Sequence, residues 1–228
     1  MRFKLLLMFT GILFASIVTA AENAQTMEQK FSYAVGFQFA QDLKQKGIEV
    51  DPKQVVQAVS DVLSGSPLKV SVEDMQAAIN DYQQKQRQQR EALARKNQQV
   101  GMEFLAKNKK EKGVKETASG LQYKVIKEGD GKAPAPGDTV TVNYRGMLLN
   151  GQEFDSSYKR GEPATLPVNG VIKGWQEALP MMKEGAKWEI YVPSELAYGQ
   201  RGAGNSIGPN ETLVFDIELI NVKQSAKN

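Results

Sequence analysis

At 228 residues the chain is long enough for one or two domains, and with 41% apolar and 24% charged residues it can build cores and keep a polar surface. It has no cysteine and no histidine, which excludes a disulfide framework, a thiol nucleophile, an imidazole base and an ordinary zinc site. Its 29 basic residues barely exceed its 26 acidic ones, so charge makes no case for a nucleic-acid partner.

Arg2 and Lys4 precede an apolar run from Leu5 to Val18, and small residues follow at Thr19, Ala20 and Ala21. A positive start, an apolar middle and a small-residue exit form the pattern of a secretory signal peptide, here residues 1–20. The run is shorter than the ~20 residues a spanning helix needs. The protein is therefore expected to be exported, to the periplasm or the outer cell surface. Without the signal the chain has 27 basic and 26 acidic residues and is near neutral.

Residues 21–70 are expected to be helical. Met27, Phe31, Ala34, Val35, Phe37, Phe39 and Leu43 recur at helical spacings, and Gly47 is a stop signal. Asp51-Pro52-Lys53-Gln54 reads as an N-cap, a first-turn proline and a capping-box glutamine. Val55, Val56, Val59, Val62 and Leu63 follow as one stripe, ended by Gly65. So short a segment cannot hide this many large apolar groups within itself. They either pack on the next helix as a small monomeric bundle or meet a second copy of the chain. Apolar coverage of more than one side of residues 31–43 favours a homodimer through these helices.

A long connecting helix is expected over residues 71–112, with Glu73 and Asp74 favouring its positive end. Its middle, Gln83 to Gln99, is almost wholly polar and reads as an exposed stalk. The lysine-rich stretch from Lys107 to Lys115 reads as solvated surface, and residues 113–118 as a linker.

From residue 119 the period becomes alternating. Leu121, Tyr123 and Val125, then Val140, Val142 and Tyr144, each mark a strand with one buried face. Asn150-Gly151 signals a type I′ hairpin turn before Phe154. Ala164, Leu166 and Val168 alternate again, with Pro167 suited to an outward position. Gly170-Val171-Ile172-Lys173-Gly174-Trp175 follows, a sharp turn that drops a tryptophan at the start of a short helix ending before Pro180. Trp188, Ile190 and Val192, then Leu213, Phe215, Ile217 and Leu219, complete five strands. The fold class is α+β: a helical N-terminal region and stalk, then an antiparallel sheet wrapped on one short helix.

The C-terminal residues 119–228 resemble an FKBP-type peptidyl-prolyl cis/trans isomerase domain. The resemblance rests on five short motifs in order: Val142-Asn143-Tyr144-Arg145-Gly146, Phe154-Asp155-Ser156-Ser157, Val171-Ile172-Lys173-Gly174-Trp175, Leu196-Ala197-Tyr198-Gly199 and Leu213-Val214-Phe215-Asp216. The whole mature chain is similar to the Mip/FkpA subgroup of exported bacterial members, in which the N-terminal helices form a V-shaped homodimer. The resemblance implies a pocket lined by Tyr144, Phe154, Asp155, Val171, Ile172, Trp175, Tyr198, Ile207 and Phe215. It assigns Asp155, Tyr198, Phe154 and Trp175 to catalysis and the rest to substrate binding, with no metal and no cofactor. Ala164 stands where many relatives carry an aromatic, which thins one wall and bears on ligand affinity. Residues 200–208 lack the histidine that relatives often have there.

The resemblance further implies action on Xaa-Pro bonds of unfolded, proline-containing exported proteins, and binding of the macrolide inhibitors of the class. Trp175 would be the platform, while the Ile172 N–H and the Tyr198 hydroxyl would orient substrate carbonyls. Asp155 either polarises the twisted amide or braces its neighbours. A second function class is a client-binding dimeric chaperone to which the pocket contributes little.

Overall fold

The computed structural model describes residues 26–225, so the expected signal peptide lies outside the described residues. The chain divides into two units, one ending at Ser71 and one beginning at Val72.

In the first unit, α1 (Met27–Gln45) starts at a capping box. The Thr26 hydroxyl accepts from the Gln29 amide at 3.2 Å, and the Gln29 side chain accepts from the Thr26 amide at 2.8 Å. Helix α2 (Pro52–Ser64) is capped by Asp51, which accepts from the Lys53 amide at 2.9 Å, and ends at Gly65 with φ 67°. Among the described residues no reciprocal bond from Gln54 completes a capping box at α2. Phe31 is 71% exposed, Phe37 54% and Val62 67%, and α1 buries none of its residues.

The second unit begins with α3 (Val72–Asn108), about 55 Å long at 1.5 Å per residue. It stops four residues earlier than expected. A turn closed by Glu111 N–H to Asn108 O and Val114 N–H to Glu111 O leads into β1 (Val114–Glu116), a strand within the stretch expected to be a linker. The reading of Gln83 to Gln99 as an exposed stalk also needs correction near its C-terminal end, at Ala94 and Asn97. Burial returns at Ala94, Asn97, Gly101, Phe104, Leu105 and Asn108, a helical spacing that turns one face toward the β domain. The Phe104 and Tyr191 rings lie 5.8 Å apart. The buried Gln122 side chain joins Asn108, the Leu105 carbonyl and Glu116 at 3.0, 3.0 and 2.7 Å. Burial, aided by Glu189, pushes the Tyr191 hydroxyl up to about 12.

The β domain continues with β2 (Gln122–Lys127), β3 (Thr139–Leu148), β4 (Glu153–Ser156), α4 (Ser157–Arg160), β5 (Ala164–Pro167), α5 (Lys173–Ala178), β6 (Lys187–Val192) and β7 (Leu213–Lys223). One antiparallel sheet runs β1-β2-β6-β7-β3-β4, with β5 also pairing β3. The outer edge of β3 is shared, β5 taking Thr139–Val142 and β4 taking Arg145–Met147. The sheet therefore has seven strands rather than five, the additions being the short β1 and β4. The β3–β4 turn is not type I′. Asn150 keeps negative φ and only Gly151 is left-handed, at φ 85°, while Leu148 accepts from Gly151 at 2.9 Å and donates to Gln152 at 2.9 Å. That is a three-residue connection with a glycine bulge, and Asn150 steadies it by accepting from the Gln152 amide.

Helix α5 lies against the sheet. Trp175, Ala178 and Leu179 share one core with Val140, Val142, Ile190, Ile217 and Leu219. The approach is close enough that a Cβ at Gly174 would sit 2.5 Å from Val192 Cγ1. Trp188 faces the same core and stacks on Tyr123 at 4.6 Å.

These contacts give α3 a measurable share in the stability of the β domain. A fragment of residues 119–228 should fold but melt roughly 5–10 °C below one of residues 89–228, the loss of about one to two net hydrogen bonds in a domain of this size. Thermal melts followed by circular dichroism check this, and equal midpoints would show the contacts to be idle.

Candidate active site

Alternation along β3 buries every even-numbered residue from Val140 to Leu148, and this aims Tyr144 inward. Phe215 on β7 lies two ladder positions from it on the same face, opposite Gly146. The turn before α5 supplies Val171 and Ile172, and α5 itself supplies Trp175. Four rings then follow edge to face: Tyr144 to Trp175 at 5.3 Å, Trp175 to Phe215 at 5.4 Å, and Phe215 to Phe154 at 5.7 Å. Gly146 makes room for the last pair, since a Cβ there would lie 2.7 Å from the Phe154 ring and 2.8 Å from the Phe215 ring.

The rings enclose an open-mouthed cavity of about 370 Å³, lined also by Asp155, Leu166, Gly170, Val171, Ile172 and Tyr198. Eight of the nine residues expected at the pocket thus border one space. Ile207 does not. It is buried in the core, bridged to Ala203 through two backbone hydrogen bonds of 2.9 and 3.1 Å. Leu166, missed as a pocket residue, supplies a wall from β5. Ala164 shares its strand face and sits half-buried opposite Val142. Period-2 alternation from Ala164 was the signal that would have found Leu166.

One edge of the cavity is polar. The Tyr144 hydroxyl donates to Asp155 at 2.5 Å, Arg160 donates to the other Asp155 oxygen at 2.5 Å, and Arg160 also donates to the Tyr144 hydroxyl at 2.8 Å. The guanidinium lies over the Tyr144 ring, 5.3 Å from its centre. Arg160 was not foreseen, because its reach depends on α4, a single turn ending at Gly161 that places it five residues beyond Asp155. The buried Ser157 pins that turn to β3 by accepting from the Tyr144 amide at 2.9 Å.

Charge states follow from these contacts. Partial burial raises the Asp155 carboxyl, but donation from Tyr144 and Arg160 outweighs it and holds the group below the ordinary carboxylate value. Burial raises Tyr144, with Asp155 adding to the effect, and raises Tyr198 in the same way. The Ile172 carbonyl is taken by the amides of Trp175 and Gln176 at 2.9 and 3.1 Å. The buried indole N–H of Trp175 has no hydrogen-bond partner among the described residues. Among the described residues no cluster of three or more histidine, cysteine, aspartate or glutamate side chains is placed to hold a metal ion.

Comparison with known proteins bears on the chemistry. A family model described as FKBP-type peptidyl-prolyl cis-trans isomerase matches residues 130–220, and one described as the domain amino terminal to that isomerase matches residues 28–125. The chain is similar to "Outer membrane protein MIP" of Legionella longbeachae, with 42% identity over 93% of each chain. It is also similar to the crystal structure of FkpA from Escherichia coli, with a TM-score of 0.63, 38% identity, and 87% of this chain and 98% of that one covered. Its identity to the peptidyl-prolyl cis-trans isomerase Mip of Coxiella burnetii (strain RSA 493 / Nine Mile phase I) is 43%, over 94% of this chain and 95% of that protein. With such identity across nearly the whole of both proteins, the chain belongs to the FKBP-type peptidyl-prolyl cis-trans isomerases.

Proposed function

We propose that the cavity floored by Trp175 is where this isomerase rotates Xaa-Pro bonds. The observation that carries the assignment is the run of four edge-to-face rings closing an apolar floor beside one fixed polar edge. Rotation about an amide is slow because resonance gives the C–N bond double-bond character, a barrier of ~18–20 kcal/mol. Twisting removes that resonance, leaving a less polar carbonyl and a more pyramidal nitrogen. An apolar cavity therefore disfavours the planar amide relative to the twisted one. The proline ring rests on Trp175 between Phe154, Phe215 and Tyr144, and the Ile172 N–H and Tyr198 hydroxyl hold the flanking carbonyls. Both oxygens of Asp155 are engaged by neighbours, which favours a bracing role that keeps Tyr144 and Arg160 at the cavity edge. Macrolide inhibitors of the class suit the same apolar floor and polar edge.

The clients are unfolded, proline-containing exported proteins. Export is supported by the N-terminal signal pattern and by the name of the Legionella longbeachae relative. Among the described residues no helix is long and apolar enough to cross a membrane. The exposed apolar residues of α1 and α2 support a homodimer through these helices. Burying each such side chain is worth roughly 1.5–3 kcal/mol, and a second copy offers the matching surface. Two pockets held on one dimer then raise the effective concentration seen by a long client, which is how chaperone action joins isomerase action.

Tyr198→Phe and Asp155→Ala should each lower kcat/KM on a short Xaa-Pro peptide roughly three- to tenfold, the worth of about one hydrogen bond, while the melting temperature moves by only a few degrees. Unchanged turnover in both variants would remove the polar edge from the mechanism.

The pH profile of kcat/KM should be flat from about pH 5.5 to 9. Asp155 is lowered, so it is ionised throughout this range and is neutralised only as pH falls through its depressed value. Tyr144 and Tyr198 are raised, so they stay neutral until pH exceeds the ordinary tyrosine value. A step near neutrality in a protease-free assay would place an unforeseen titrating group in the reaction.

Light scattering of the mature chain at micromolar concentration should give a dimer mass, and residues 89–228 a monomer mass. A monomeric mature chain would sink the α1–α2 interface.

A further inference from the structure

The pocket residue Tyr198 opens a segment, residues 199–212, that has little secondary structure of its own. Gly199–Arg201 form one 3-10 turn, Ala203 and Ile207 make a two-bond bridge, and Asn210, at φ 55°, donates its amide back to the Gly199 carbonyl at 2.9 Å. Much of what holds this segment comes from α3, a hundred residues earlier in the chain. Arg90 donates to the Arg201 carbonyl at 2.6 Å. Asn97 donates to the Pro209 carbonyl at 2.9 Å, and Asn210 donates to the Ala94 carbonyl at 3.3 Å. One turn further on, Gly101 presses on the buried Thr212. A Cβ at Gly101 would lie 2.3 Å from Thr212 Oγ1 and 3.3 Å from its Cβ.

The bonds from Arg90 and Asn97 go to main-chain carbonyls, so they fix the path of the segment and not merely the rotamers on it. They also grip both its ends, at residues 200–201 and 209–210, and the near end is the one that carries Tyr198. A glycine inside a helix costs up to ~1 kcal/mol against alanine. The need to bring α3 onto Thr212 is a physical reason for Gly101.

We infer that α3 is part of the isomerase site at one remove: its face through Arg90, Asn97 and Gly101 positions the segment that begins at Tyr198, and so sets where Tyr198 meets substrate. This rests on the cavity being the isomerase pocket. Arg90, Asn97 and Gly101 are positioning residues, since none of them lines the cavity. Gly208 leaves room for the Asn97 side chain, since a Cβ there would lie 3.3 Å from its amide nitrogen.

The test is made on the mature full-length protein with Gly101→Ala, Asn97→Ala and the double variant Gly101→Ala with Thr212→Ala. Gly101→Ala favours the helix itself, so a loss of function in it does not come from a failure of α3 to form. It should speed amide hydrogen exchange across residues 199–210 roughly fivefold or more, the worth of about one hydrogen bond, with Asn97→Ala doing the same. On a short Xaa-Pro peptide both should raise KM by a similar factor with kcat little changed, because a misplaced Tyr198 weakens substrate binding while the ring floor is untouched. Removing the Thr212 hydroxyl clears the 2.3 Å clash, so the double variant should recover KM and slow exchange toward those of the parent protein. Faster exchange with unchanged KM would overturn the inference, as would a fall in kcat alone, which is what a smaller folded fraction produces. Unchanged exchange in both single variants would overturn it too. Asp155→Ala run alongside should lower activity without loosening residues 199–210. If Asp155→Ala and Tyr198→Phe both leave activity intact, the polar edge plays no part in the reaction and the reading on which this inference rests has failed, an outcome distinct from failure of the helix variants.

Discussion

The pocket depends on how closely α5 approaches β6. Gly174 presents no side chain to Val192, and this allows the next residue, Trp175, to sit beneath the sheet and not beside it. Once the indole is there, its edges meet Tyr144 on one side and Phe215 on the other, and Phe215 in turn meets Phe154. Each ring comes from a different element: β3, α5, β7 and β4. The pocket therefore cannot be assembled locally, and it exists only when the sheet register is correct. A one-residue slip of β3 would turn Tyr144 outward and bring Arg145 in.

On the proposed assignment of the cavity, this construction accounts for catalysis by a chain with no histidine and no cysteine. Nothing in the site has to gain or lose a proton, because rotation about an amide moves no proton and forms no covalent bond to protein. What the site needs is an environment whose polarity is set in advance. Asp155 is held ionised by Tyr144 and Arg160, and the tyrosines are held neutral by burial, so the edge keeps one charge pattern throughout the working range. The same triangle makes Arg160 the partner that lets a carboxylate stand beside an apolar cavity.

The parts of this site that were legible in the sequence are those that obey a period or a motif. Val140, Val142 and Tyr144 alternate, and the run from Gly170 to Trp175 marks its own turn. Leu166 was within reach of the same alternation. Arg160 was not legible, because its role comes from a single turn of helix whose position only the folded β3–β4 pair defines. The docked face of α3 was illegible for a different reason. Arg90, Ala94 and Asn97 are polar or small, so a search for apolar periodicity sees an exposed stalk where hydrogen bonds from Arg90 and Asn97 to main-chain carbonyls hold an interface. Asn150-Gly151 shows a third kind of limit. The dipeptide locates the hairpin, but the extra residue in the loop, and not the dipeptide, decided the turn type.

The two units differ in how they use apolar surface, and that difference bears on function. The β domain turns its large side chains inward: Leu121, Ile190, Ile217 and Leu219 are wholly buried, and the cavity rings Tyr144, Trp175 and Phe215 are buried with them, while Tyr198 at the cavity stays exposed. Helices α1 and α2 do the opposite, keeping phenylalanines and valines exposed along well-capped helices. Good caps make these helices stable as local structure without hiding anything, so their apolar faces remain available for a partner. Within the second unit, α3 is anchored to the β domain at its C-terminal end. The helix that follows the first unit in the chain is then also the one that grips the segment beside Tyr198, through Arg90 and Asn97.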